Sequence, residues 1–515
     1  MLTIVLAFAP IVLLFILMIG MKMPAIRAMP IAWALTLILA IVYWQVPAGV
    51  IAGSHIKGLA TTFDIILILI GAIFMLEVLK QGGFISRINT MLRETCSDKR
   101  VGAIIIGWSF VCLIEGAAGF GTPAALAAPL IASMGINPTA AVAITLIADA
   151  PPVSFGALGT PINIGVGEAI VGVNEALLSE VVINTALIHL IVGMFIPFTM
   201  LLVLAYLEKK PLSSTFELLP FCLFAAATFL VPYFIVAIVL GQIFPSLIGG
   251  TVSLALMFIA LEHGWFLPKT TKKKKSKFRD KLMIFSPYIL ASALLIVSKI
   301  PAISAILKSV VITGTNIFDS TISFSLTPLS NPGTIFFASA LVTIAYMRIP
   351  RKKVENALSQ TLNKCVKTFI TLAFTICLVQ TFLNSSNNLR GIESMPMTIA
   401  GFLSELFSQV YIFVAPQIGM FGSFLAGSNT VSNIFFSGFQ QAAANELGLS
   451  VALILALQVV GGAAGNMIAI HNIIAASATV GLNGKEGEII RVNIIPAIAY
   501  SIAASLIALI IMSIF

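Results

Sequence analysis

Charged residues are scarce in this chain: 10% of its 515 residues are Asp, Glu, Lys or Arg, against roughly 25% in an ordinary soluble domain. With 59% hydrophobic residues, that scarcity excludes a water-soluble enzyme and points to a polytopic membrane protein. Cysteine is sparse too. Cys96, Cys112, Cys222, Cys365 and Cys377 stand apart, with no CxxC pair and no clustering with the four histidines, so neither a disulfide framework nor a metal site is expected. Phosphate-binding loops and nucleophile triads are missing, and the Gly-x-x-Gly-x-Gly run at 116–121 has no preceding strand, so no enzyme and no bound cofactor are expected. The stretch Met1 to Gly20 lacks the basic start and small-residue cleavage site of a signal peptide, and reads as a retained first span.

What the chain has is long apolar runs. A bilayer core of about 30 Å needs about 20 apolar residues per helix, and the runs predict an all-α polytopic protein of about twelve transmembrane helices. These fall near 1–20, 30–48, 58–79, 138–165, 181–206, 219–238, 243–262, 283–299, 333–349, 366–383, 449–475 and 492–514. Two further runs, 101–134 and 397–440, are too long for one helix and carry Gly, Ser, Thr and Pro at their middles; each is expected to be a re-entrant hairpin. The 29 Lys and Arg exceed the 20 Asp and Glu by 9, an excess read as a topology signal rather than a nucleic-acid footprint. Lys22 and Arg27, the group from Lys80 to Arg100, Lys209 and Lys210, Lys269 to Lys281, Arg351 to Lys353, and Lys485 and Arg491 all fall inside if both termini lie outside. Lys272 to Lys275 then mark a cytoplasmic anchor between halves.

The breaks recur. Gly121-Thr122-Pro123 returns as Gly159-Thr160-Pro161 after 38 residues, and Gly427-Ser428-Asn429 is followed by Gly465-Asn466, again after 38. The two sets stand 306 apart, and the same offset carries 30–48, 58–79 and 181–206 onto 333–349, 366–383 and 492–514 within a few residues. Parity makes the copies inverted: a first repeat over 1–209 with an inward-side hairpin, two connecting spans and a basic loop over 210–282, and a second repeat over 283–515. Inverted repeats with broken segments at matching places are the sequence sign of a secondary transporter with a midplane site, because irregular backbone at membrane depth must be covered by protein or line a cavity.

Pro123 suits the first turn of a helix and Ser428-Asn429-Thr430 supply helix caps. Helix N-termini offer free N–H groups and partial positive charge, which suits a small carboxylate, and no Lys or Arg stands at any of the four breaks. The candidate substrate-binding residues are Gly121, Thr122, Gly159, Thr160, Ser428, Asn429, Thr430, Asn433, Gly465 and Asn466. The bland alternative for such small residues is close helix packing. Acids in apolar stretches are costly and so are functional candidates. Asp149 is expected to carry a proton, hold an ion, or cap the helix before Pro151; Glu115 to carry a proton or satisfy hairpin N–H groups. His471, five residues past the last break, is a third proton-coupling candidate. Asp64 and Glu77, near the ends of 58–79, are expected to snorkel or to make interfacial pairings, while His55, His189 and His263 have no supporting context.

The motifs Glu115-Gly-Ala-Ala-Gly-Phe-Gly-Thr-Pro123, Ala150-Pro-Pro-Val-Ser-Phe-Gly-Ala-Leu-Gly159, Gly427-Ser-Asn-Thr-Val-Ser-Asn433 and the run from Gly461 to Asn466, with Gly481 to Glu486 beyond it, resemble the lactate permease family over nearly the whole chain. That resemblance implies proton-coupled import of L-lactate, often also D-lactate and glycolate, across a prokaryotic plasma membrane. A looser likeness to ion-coupled carboxylate transporters implies an elevator movement, a homodimer, and carboxylate with sodium at the Ser428-Asn429-Thr430 tip. The chain departs from the lactate permease pattern where Asn429 replaces an Asp, Asn466 a Lys, and Asp149-Ala150 an Asn-Thr pair, and in having Thr122 and Thr160 where small or apolar residues are usual. Proton symport of a 2-hydroxy monocarboxylate is the leading expectation, a sodium-coupled carboxylate symporter the alternative, and an anion channel the reading from another class.

Overall fold

The computed structural model describes residues 1–17, 21, 23–83, 87, 98–119, 121–170, 172–268, 278–298, 300–482 and 485–514. Cys96, Phe120, Asn483 and the basic residues Lys22, Arg93, Lys269, Lys272 to Lys275 and Lys277 lie outside them.

Helices account for nearly all of the described chain. In order they are α1 Leu2–Phe15, α2 Ile26–Trp44, α3 Ala48–Gln81, α4 Lys99–Ala117, α5 Thr122–Ser133, α6 Pro138–Ala148, α7 Gly156–Asn163, α8 Glu175–Leu207, α9 Leu212–Leu240 and α10 Pro245–His263. They continue with α11 Phe278–Val297, α12 Pro301–Leu307, α13 Pro332–Met347, α14 Arg351–Leu383, α15 Met395–Phe407, α16 Tyr411–Ala426, α17 Asn429–Leu447, α18 Val451–Asn466, α19 Ile470–Thr479 and α20 Glu486–Ile514. The one sheet among the described residues is a small antiparallel pair, Ile312–Gly314 with Phe324–Leu326.

Nine helices among the described residues are long and apolar enough to cross a membrane, which makes this a multi-pass membrane protein. Several expected spans take another form. The stretch 138–165 is no single span: α6 stops at Ala148, one short turn Ala150–Val153 follows, and α7 begins at Gly156. Pro151 and Pro152 lack the N–H that would continue the ladder. The stretch 101–134 is uneven, because α4 is itself 19 residues long while α5 has only 12. The stretch 397–440 holds three helices, α15, α16 and α17, rather than two arms. α11 bends by 88° into α12, where Pro301 starts a new helix.

The offset seen in the sequence reappears in the helix starts: Ile26 and Pro332 are 306 apart, Ala48 and Arg351 303, and Thr122 and Asn429 307. The longest helices, α3 and α14, lie along each other, flanked by α2 and α13. Close approach of α3 and α13 requires glycine on both, since a Cβ on Gly71 would meet the Gly333 backbone and one on Gly333 would meet Leu67 and Ile68. Polar ties fasten the same helices. The Lys364 ammonium donates to Glu77 at 2.6 Å and the Asn331 amide to Asp64 at 2.8 Å, the pairings expected of these two acids. A second group packs around α4 and α18: α10 against α4, α16, α17 and α8 against α18. The apolar window in Lys99–Ala117 and that in Val451–Thr479 are each 94% buried, against 28% for Ile26–Trp44 and 33% for Glu486–Ser513. Apolar residues all round a helix are tolerated only where protein or lipid covers every face, so α4 and the stretch from α18 to α19 are interior while α2 and α20 face outward.

Candidate functional site

The site is made of chain ends. α4 stops at Ala117 and α5 restarts at Thr122 with Pro123 in its first turn, the intervening Gly121 sitting at φ 75°. α16 ends on Gly427 at φ 69°, and Ser428 caps α17 by accepting from Val431 N–H. These left-handed positions favour glycine because it has no Cβ to clash. Inside α7, Ala157, Leu158 and Gly159 have φ of 43°, 61° and 77°, a left-handed turn of three residues that is strained for the first two. α18 ends at Asn466, and α19 follows from Ile470.

All four breaks border one small cavity. Gly121 comes from the first break, Thr160 and Pro161 from the second, Ser428, Asn429 and Thr430 from the third and Asn466 from the fourth. The Thr160 and Thr430 hydroxyls approach to 3.3 Å, and the Asn433 amide donates to the Pro161 carbonyl at 3.0 Å, so residues 270 positions apart close the site together. No described lining residue is Lys, Arg or His. What faces an incoming anion is the N-terminal end of α5, that of α17, and hydroxyl and amide groups.

One wall is acidic. Glu115 lines the cavity and is 1% exposed, and it neighbours the carboxyl of Asp149, which is 0% exposed. The Asn466 amide donates to Asp149 Oδ2 at 3.0 Å, and the Asn472 amide donates to Asn466 Oδ1 at 2.7 Å. Asp149 is thus held by Asn466, which Asn472 holds in turn. Asp149 does not cap the helix before the prolines: its side chain makes no cap bond.

The profile of the L-lactate permease family matches residues 3–515. The chain belongs to that family. Among its relatives, a putative L-lactate permease of Haemophilus influenzae is 31% identical over 100% of this chain and 99% of the relative. The L-lactate permease of Bacillus subtilis is 25% identical over 89% and 87%, and a glycolate permease of Escherichia coli is 24% identical over 98% and 94%. These relatives are transporters, not enzymes.

Within this family member, the remaining expected residues stand beside the cavity rather than on it. Thr122 opens α5. Gly159 abuts the Gln242 carbonyl, and Gly465 abuts the Met420 backbone, a packing role. His471 is exposed, with its Cβ against Gly427. Its position outside the lining leaves the buried pair as the better-placed acid–base group. Thr160, Asn429 and Asn466 do border the site.

Sequence reading missed the network behind the second break. His189 has a context after all: its Nε2 lies 2.7 Å from Ser154 Oγ and its Nδ1 2.6 Å from Tyr500 Oη, all three buried. Tyr233 Oη donates to the Pro151 carbonyl at 2.9 Å and Ser246 Oγ to that of Pro152 at 2.7 Å. These bonds satisfy carbonyls and a hydroxyl that the kinked segment frees, which membrane depth requires. Asn472 was missed as well. The signal for both was weak: His189 is an isolated polar residue whose partner Tyr500 is 311 positions away, and Asn472 lies past the last break among apolar residues.

Proposed function

We propose that this protein imports a small 2-hydroxy monocarboxylate, L-lactate and also D-lactate or glycolate, by proton symport across a prokaryotic plasma membrane. The observation that carries this reading is the meeting of four helix breaks at one small buried cavity without a cationic side chain, next to a buried carboxyl pair. The substrate carboxylate rests at the N-terminal ends of α5 and α17, with Thr160, Ser428 and Thr430 as hydroxyl donors. The Asn429 amide donates to the Val459 carbonyl at 3.1 Å, which leaves its Oδ1 as an acceptor for the substrate 2-hydroxyl. Glu115 and Asp149 serve the proton. Alternating access moves one repeat-derived unit, bearing the tips, against a scaffold containing α3 and α14, in a homodimer with both termini outside.

Family membership and the relatives named for lactate and glycolate support the substrate class. Uptake of labelled L-lactate into proteoliposomes tests the reading. Accumulation driven by an inward proton gradient, and competed by glycolate, is the expected result. Accumulation that follows a sodium gradient instead supports the sodium-coupled alternative, and unsaturable conductance supports a channel.

A further inference from the structure

The carboxyl pair has an internal asymmetry. Two neighbouring carboxyl groups buried at low dielectric are not both charged, so one of them carries a proton. Asp149 accepts at Oδ2 from Asn466 Nδ2. The orientation of that amide is fixed by its own Oδ1, which accepts from Asn472. Glu115 has no such donor, and its Oε2 lacks any conventional partner, as does Asp149 Oδ1. The one fixed donor therefore goes to Asp149, and none goes to Glu115. The charge of the empty site sits on Asp149.

Now an anion must enter beside it. The cavity wall holds no Lys, Arg or His among the described residues. The titratable side chains packed around the pair are Cys112 on its own helix, Tyr233 on α9, His189 on α8 and Tyr500 on α20, with His471 exposed on α19 beyond Gly427; none is a fixed cation. Two unit negative charges a few ångströms apart, unscreened by a counterion, repel by several kcal/mol at an effective dielectric near 20.

We propose that the site conserves a single negative charge by exchanging its carrier: Asp149 is the anion of the empty site, and it takes up a proton from solution as the substrate carboxylate docks at the helix N-termini. Glu115 keeps its proton throughout. The loaded and empty sites then have equal charge, and each transported anion carries one proton with it. This inference rests on the proposed carboxylate site and deepens it by naming the proton carrier and the reason binding needs it.

The test is proton uptake on binding, measured with a pH indicator in weakly buffered solution on the detergent-purified full chain mixed with L-lactate. Wild type is expected to take up about one proton per bound anion, and its affinity to fall about tenfold per pH unit on the alkaline side. Asp149→Asn should bind L-lactate with no proton uptake and an affinity independent of pH; Glu115→Gln, which is uncharged like the protonated acid, should retain the uptake with its midpoint displaced. His471→Gln serves as the control and should behave as wild type. Binding without proton uptake in wild type, or undiminished uptake in Asp149→Asn, overturns the proposal. Failure of wild type to bind any 2-hydroxy acid instead overturns the carboxylate site on which it rests. If Asp149→Asn does not fold, Glu115→Gln decides: loss of the proton uptake in that variant would overturn the assignment to Asp149.

Discussion

At the residue scale the cavity is furnished with uncommitted polar atoms. Thr160 and Thr430 share a long bond of 3.3 Å and Thr160 adds a longer one of 3.4 Å to the Gly156 carbonyl, weak contacts that let both hydroxyls turn toward a ligand. Thr430→Val keeps the shape and removes one donor. It should weaken L-lactate binding about tenfold, on the order of 1.4 kcal/mol, as read by equilibrium binding to purified protein; full affinity would move the site away from that tip. Asn429→Ala should discriminate further, reducing the preference for 2-hydroxy over 2-oxo acids by removing the acceptor meant for the hydroxyl. Equal losses for lactate and pyruvate would deny it that role. Gly121→Ala places a Cβ on a residue at φ 75°, next to Asn472 Oδ1 at 2.7 Å, and should lower transport without removing the protein from the membrane, as checked by uptake normalised to expression. Residues with a common sequence signal were readable at this scale: glycine before threonine or serine marked the tips, and a lone Asp before two prolines marked the pair. Asn472 and His189 were not readable, because what makes them matter is a partner at Asn466, Ser154 or Tyr500.

Elements show where pattern stops and packing takes over. Apolar length located α2, α3, α8, α9, α10, α14, α18 and α20 within a few residues to about fifteen at their ends. It failed at 138–165, since hydrophobicity does not report φ, and three left-handed residues inside an apolar run look like any other three. It also missed α15 as a separate helix, because the turn after Phe407 carries no glycine or proline. Capping is explicit at α4, where Asp98 accepts from Arg100 N–H at 2.9 Å and pairs with the Arg100 guanidinium at 2.8 Å. Burial pushes the Asp98 carboxyl up, but these bonds outweigh it and hold it below the usual carboxylate range. A depressed carboxyl stabilises the folded state above its unfolded value and loses that contribution as pH falls through the folded one. Asp98→Ala should therefore cost about 1 kcal/mol at neutral pH and less in acid, which thermal unfolding of the purified protein at pH 7 and pH 3.5 would register as a smaller difference in Tm at the lower pH. An undiminished difference in acid would rule out the charged cap.

For the whole molecule, four breaks far apart in the sequence converge on one cavity, between helices of which Lys99–Ala117 and Val451–Thr479 are buried along nearly their whole length. Orientation is a separate matter, argued from the placement of Lys and Arg in alternate loops. A C-terminal reporter active only outside the membrane should be active when fused after Phe515, and inactive when inserted between Lys272 and Lys275; the reverse pattern would invert the proposed topology and exchange the sides from which the two hairpins enter.

The claim on which the rest depends is that the second and third breaks, one from each half, meet across the transported anion. Cysteines at Thr160 and Thr430 probe it directly, because two thiolates in that position can share a soft metal ion. In proteoliposomes of the double variant, micromolar cadmium should stop L-lactate uptake, a chelator should restore it, and excess lactate should slow the block, with neither single variant responding. Uptake that continues in cadmium, or a block that the single variants share, would contradict the account.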